Sequence, residues 1–269
     1  MTAPLRAVFA VVASLGAAAV SSARAQSFRV APFVTLDGGE ATSDEDGYAR
    51  LIADLGVAVR PSLSGPARTE GAVGLSVGYE LSHTGVDARA SHWETATEGR
   101  ADGGLDVSRL VLRKGLPGSL ELGASFGVLG GADAWVGSLE LKWAFVEGLA
   151  NAPDVGARIS LGALFGHPDL TLVTSGADLV VGKSFGLFGV LRATPWAGYA
   201  FTFTRGASRP VAVVGDGDVA SIEVVVPSQN SVSHRGVVGL DVRFGPACLA
   251  LEGAFGDLTT VTFRAALAL

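Results

Sequence analysis

Two arrangements in this sequence could carry acid–base or nucleophilic chemistry. Ser233-His234 sets a hydroxyl beside an imidazole, and His83 and His92 share one stretch with Asp87 and Glu94. A nucleophile and its base must meet on one wall within hydrogen-bond reach. Adjacent residues of a strand point to opposite faces, so Ser233 and His234 cannot be partners there. The histidine-containing stretch lacks tight ligand spacing and reads as a solvated polar loop. His167 and His234 lie far from it, and the single cysteine, Cys248, permits neither an internal disulfide nor a thiolate cluster. The sequence therefore assigns no catalytic residue, no metal site and no cofactor, and the expectation is a protein that is not an enzyme.

A larger set of charges recurs on one parity of successive segments. Glu80, Glu121, Glu140, Asp178, Asp241 and Glu252 are the acids; Lys142, Arg158, Arg192, Arg235, Arg243 and Arg264 are the bases. Six of each sign is a balanced set, and the other polar positions on this parity are mostly Gly, Ser and Thr. Small residues with paired charges would fill the interior of a narrow barrel, where an unpaired ion is costly. These twelve residues are the candidates for a polar lumen.

The elements that would position them alternate with a period of two. Val73, Leu75, Val77, Tyr79 and Leu81 oppose Ser76, Glu80 and Ser82, and Trp135, Leu139, Leu141, Trp143 and Phe145 oppose Ser138, Glu140 and Lys142. Segments 120–126, 155–165, 193–203, 232–244, 249–255 and 261–269 repeat the pattern. Segments 106–113 and 170–183 alternate less well but are bracketed by turn signals. Ten strands follow from Val73 onward, many of them long enough for a tilted bilayer crossing. Trp135, Phe145, Tyr199, Phe203, Phe244 and Phe255 fall near strand ends, where interfacial girdles form.

The start of the chain has the order of a secretory leader: Arg6, an apolar run to about Val20, then Ala23-Arg24-Ala25 before Gln26. Cleavage after Ala25 removes two arginines and leaves 18 basic against 26 acidic residues, a mildly anionic chain with no signature of nucleic-acid binding. The remainder is apolar on average but offers no second run long enough for a membrane helix. Its apolar residues are spread over strands, which favours a closed antiparallel transmembrane β-barrel of 10–12 strands over a soluble sandwich, and the bacterial outer membrane as its location.

The expected division is a leader at 1–25, an N-terminal segment at 26–72 and the barrel at 73–269. Connections 83–105 and 205–230 are long and fall on the outer side when counted back from the C-terminus, and the connections on the other side are short. The first is expected to be a mobile polar loop, the second to hold a short strand at SIEVVV. The N-terminal segment has two readings. Tyr48, Leu51, Ile52 and Leu55 have helical spacing, with Asp46 as cap and Gly56 as stop, which makes a helix or plug. Alternatively, 28–34 and 50–60 pair as two further strands.

The stretches "LIADLGVAV", "VGLSVGYELSHT", "LVLRKGLPGSLELGASFG", "VGSLELKWAFVEG" and "GADLVVGKSFGLFGVLRATPWAGYAF" resemble a family of uncharacterised bacterial outer-membrane β-barrel proteins, from about Tyr48 to Phe203. That family is loosely similar to the outer-membrane transporters of long-chain fatty acids and aromatic hydrocarbons. The resemblance implies a barrel with an N-terminal segment inside it but brings no reaction; the barrel itself, with a plug around Tyr48 to Leu55, leads to the expectation of passage or binding of a small, hydrophobic solute. The final strand, with Phe263, Ala265, Leu267 and Leu269 at alternate positions, is similar to the signal read by the barrel-assembly machinery, although it ends on Leu where Phe is usual. Expected partners are therefore outer-membrane lipid, that machinery and the solute. The competing expectation is a surface adhesin acting through loops 83–105 and 205–230, with an outer-membrane hydrolase a third option.

Overall fold

The computed structural model describes residues 27–37, 40–213 and 222–269. The expected leader, 1–25, lies outside the described residues. After a 3-10 turn at Ala31–Phe33 comes a small hairpin, β1 (Val34–Asp37) and β2 (Glu40–Ser43), and then helix α1 (Glu45–Val59). Strand β3 (Leu75–Gly85) is followed by helix α2 (Ser91–Ala96) and by β4 (Gly104–Leu116), β5 (Leu120–Leu129), β6 (Ala134–Val146), β7 (Asp154–Phe165) and β8 (Leu170–Gly182). The short β9 (Phe185–Leu187) leads to β10 (Leu191–Ser208), a second hairpin of β11 (Val211–Val213) and β12 (Ile222–Val224), and finally β13 (Gln229–Phe244), β14 (Ala247–Phe255) and β15 (Thr260–Ala268).

Ten strands, β3 to β8, β10 and β13 to β15, form one antiparallel sheet that closes on itself. The closing pairs are β13 with β10 and, where the last strand meets the first, β15 with β3. Closure follows from the apolar outer face: in lipid an open edge would leave backbone groups without partners. That face carries Leu110, Leu122, Leu139, Leu141, Ile159, Leu179, Leu249 and Leu251, all exposed. Trp135 and Phe145, exposed on β6, stand about ten residues apart. At roughly 3.3 Å per residue and a tilt of about 40°, that separates them by roughly 25 Å, the height of an outer-membrane apolar band. Among the described residues, no helix is long and apolar enough to cross a membrane.

The barrel is uneven in height. Strands β10 and β13 have 18 and 16 residues, whereas β14 and β15 have 9 each. Pairing of β13 with β14 starts only at Gly236, so residues 229–235 pair with β10 alone.

The N-terminal segment adds no strand to the barrel. Residues 28–34 and 50–60 do not pair, because the stripe of Tyr48, Leu51, Ile52 and Leu55 is completely buried as one face of α1. The helix starts one turn signal earlier than the sequence suggested: Asp44, not Asp46, is the cap, its Oδ1 accepting from the Gly47 N–H at 2.9 Å. Nor is Gly56 a stop. It lies inside the helix, packed so close to Thr204 of β10 that a Cβ would collide with that side chain. The helix ends at Arg60 with extended backbone, as the residue before Pro61 must.

Candidate functional site

The lumen has two halves of opposite character. At one end α1 buries Tyr48, Leu51, Ile52 and Leu55 among wall residues such as Val107, Leu129, Val136, Leu164 and Leu172. Phe28, Val30 and Trp93 cover this cluster from above. At the other end the wall is ionic, and the extended chain from Arg60 to Glu70 runs through it.

That extended chain sets the chemistry of the site. The last carbonyls of a helix have no partner within it and carry partial negative charge, and a stretch broken by Pro61 and Pro66 cannot satisfy its own backbone either. Wall cations supply the missing donors. Arg109 donates to the carbonyls of Ala58, Val59 and Arg60 at 3.2, 2.9 and 3.2 Å, while Arg235 reaches that of Val57 at 3.4 Å. Arg158 donates to Pro61 and Ser62 at 3.0 and 2.6 Å, Arg113 to Leu63 at 2.8 Å, and Arg264 to Ser64 at 3.1 Å. Lys142 takes the carbonyls of Pro66 and Arg68 at 3.4 and 3.0 Å. The planar guanidinium fork lets Arg109, Arg113 and Arg158 each hold a carboxylate as well.

The carboxylates complete the network. Glu140 is shared by Arg113 at 2.8 Å and Arg158 at 2.5 Å, and Asp178 by Arg158 at 2.8 Å and Arg60 of the threaded segment. Glu80 pairs with Arg109 at 3.1 Å and Glu121 with Lys142 at 2.8 Å. Glu252 accepts from the Ser64 N–H and Glu121 from the Glu70 N–H, the latter at 2.9 Å. At the mouth, Arg243 makes two bonds to Glu70, at 2.7 and 2.9 Å, and a third to Asp241 at 3.1 Å.

Eleven of the twelve charges expected in the lumen meet there, each on its predicted parity. Arg192 does not: it has the inward parity but sits exposed at the mouth, where the wall ends. With Pro66, Arg68, Glu70, Glu147 and Arg243 it lines a cavity of about 230 Å³. The sequence reading missed Arg60, Glu70, Arg109 and Arg113. The last two share a parity with Leu105 and Val107, which face the apolar half of the lumen, and with the buried Val111, so the alternation of β4 is blurred.

The histidine arrangements separate. Ser233 is buried towards the lumen, whereas His234 is on the outer face, its Nδ1 2.5 Å from the Tyr199 hydroxyl. His83 lies on β3 against Asp106, 2.7 Å away on β4, and His92 on α2 meets Asp54 of α1 at 2.9 Å. Loop 83–105 is not a loose polar coil: α2 folds inward and buries Trp93 completely, its indole N–H donating to Asp54 at 2.8 Å. The short strand expected at SIEVVV is β12, paired with β11. Among the described residues, no group of His, Cys, Asp and Glu could hold a metal ion.

No protein-family description matches the chain, and no curated protein matches its sequence. Solved barrels do. Ail, the attachment invasion locus protein of Yersinia pestis, aligns at 13% identity over 73% of this chain and 97% of its own, with a TM-score of 0.30. The N-terminal β-barrel domain of Pseudomonas aeruginosa OprF aligns at 14% over 74% and 99%, TM-score 0.28, and the β domain of the Bordetella autotransporter BrkA at 14% over 73% and 98%, TM-score 0.37. These barrels show no likeness of the chain to the transporters of fatty acids and aromatic hydrocarbons. With TM-scores this low, the reading of the site rests on its own geometry.

Proposed function

We propose that the protein is a plugged barrel of the bacterial outer membrane that binds a small solute and passes it when the threaded segment yields. The observation that carries this reading is how residues 60–70 are held. Wall side chains grip their backbone carbonyls through polar contacts that water can replace, and a cavity of about 230 Å³ lies beside them at the mouth. With α1 and this segment in place the lumen is filled, so a wide general porin is not the reading. No reaction is assigned to the protein.

Single-channel conductance and liposome swelling test the proposal. The full chain is expected to show brief openings and solute uptake above empty vesicles, and the variant Arg109→Ala/Arg113→Ala, with its plug loosened, more of both. If neither protein exceeds empty vesicles, passage is rejected.

Surface adhesion has one observation in its favour. The described parts of both long connections fold against the N-terminal arm as an ordered cap, with β11 on β1 and α2 on the 3-10 turn. Loss of surface binding on deleting 86–103 or 209–228, with conductance intact, would favour that reading over transport.

A further inference from the structure

The route of the chain before β3 has a functional meaning of its own. Residues that precede α1 touch three of the connections at one end of the barrel. The Arg29 N–H donates to the Ala96 carbonyl at 2.8 Å in the β3–β4 connection. The Val30 N–H donates to Asp169 at 2.9 Å in the β7–β8 connection, and Phe28 stacks on His167 of the same turn, with centroids 4.4 Å apart and rings 6° from parallel. Hairpin strand β1 packs on β11 in the β10–β13 connection.

The other end of the segment reaches the opposite rim. The Thr69 N–H and hydroxyl both donate to Glu147, at 3.1 Å, in the β6–β7 turn, and Glu70 is held by Arg243 next to the β13–β14 turn. Gly74 then accepts from Gly115 at 2.9 Å beside the β4–β5 turn, and Leu75 pairs with Leu269. Between the two rims run 15 helical residues and an extended stretch. At about 1.5 Å per helical residue and roughly 3.3 Å per extended residue, their length suffices to span a bilayer.

Loop lengths orient the barrel. The end that meets residues 27–37 carries the two long connections, and the end that meets Thr69 and Glu70 carries short turns, which marks it as periplasmic. The chain therefore crosses the membrane once more than its ten strands do, through the lumen.

We propose that this barrel carries its own N-terminal arm across the outer membrane, so that residues preceding α1 are displayed on the cell surface. Burial of the apolar face of α1 in the outer half of the lumen, and capture of the following carbonyls by wall cations, hold the arm there once it has crossed. This activity requires no external solute and stands apart from the transport reading.

Thiol labelling of intact cells with a membrane-impermeant maleimide tests it, in full-length protein with the buried Cys248 replaced by alanine. Single cysteines are placed at Asp37 in the arm, at Glu223 in the outer hairpin and at Ala150 in the periplasmic turn, all exposed positions. An electrophoretic shift between unboiled and boiled samples certifies that each variant has folded. Asp37→Cys and Glu223→Cys are expected to label on intact cells, and Ala150→Cys only after the outer membrane is permeabilised. Labelling of Glu223→Cys with loss of labelling at Asp37→Cys overturns the proposal while leaving the barrel's orientation intact. Labelling of Ala150→Cys alone on intact cells reverses the orientation and overturns it as well.

Discussion

Arg109 shows what a single cation does inside this barrel. It is 2% exposed, and it satisfies Glu80 together with three carbonyls at the end of α1. Removing one partner from a buried charge network leaves the others without compensation, so Arg109→Ala should lower stability by roughly 3–5 kcal/mol. Arg192, exposed at the mouth, should tolerate Arg192→Ala within about 0.5 kcal/mol. Urea titration of the folded band, unboiled, compares the two. His167 supplies a pH dependence. Burial lowers its pKa from 6.5, against the opposing pull of Asp169 and Asp133 and with the help of Arg209. The unfolded chain therefore binds the proton first, and the contribution of neutral His167 is complete above pH 6.5 and declines as pH falls through the lower folded value. Proteolysis of residues 27–43 should accelerate over that window, and His167→Gln should abolish the dependence. Most of the charges could be found from parity alone, because an inward ion in a strand recurs at even steps. Arg109 and Arg113 escaped because their strand faces an apolar helix for half its length, a fact no local pattern contains.

At the level of elements, the strands were legible and the helix only in part. Period-two alternation survives wherever lipid faces one side and small polar groups the other, as in β6 with Leu139 and Leu141 against Glu140 and Lys142. Leu139 is exposed midway between the aromatic rings of β6, so Leu139→Arg should destabilise the barrel by roughly 2–4 kcal/mol, and the same substitution near either girdle by much less. Thermal shift of the unboiled band across such a series would trace the bilayer midplane. Helix α1 was ambiguous because Leu51, Ala53, Leu55, Val57 and Val59 also alternate. Its true limits depend on contacts beyond its own sequence: Gly56 is there to let Thr204 approach, and Pro61 rather than a glycine terminates the turn.

Considered as one object, the molecule joins its two halves through a single threaded segment. Contacts of residues 27–70 reach both rims, so arm and barrel should come apart together. The unboiled compact band and the protease resistance of residues 27–70 are expected to disappear over one temperature range, and two separate transitions would contradict that coupling. The sequence alone allows ten strands or twelve, since the number turns on whether α1 fills the lumen, and only long-range packing decides that. The uneven height of the sheet has one more consequence. Along residues 229–235, above the short β14–β15 hairpin, β13 pairs with β10 on one flank and, among the described residues, with no strand on the other. A bare flank of amides and carbonyls invites augmentation. An extended peptide, or the same flank of a neighbouring copy, would lengthen the sheet there, with Val232 on its exposed apolar face and Ser233 on its buried inner face.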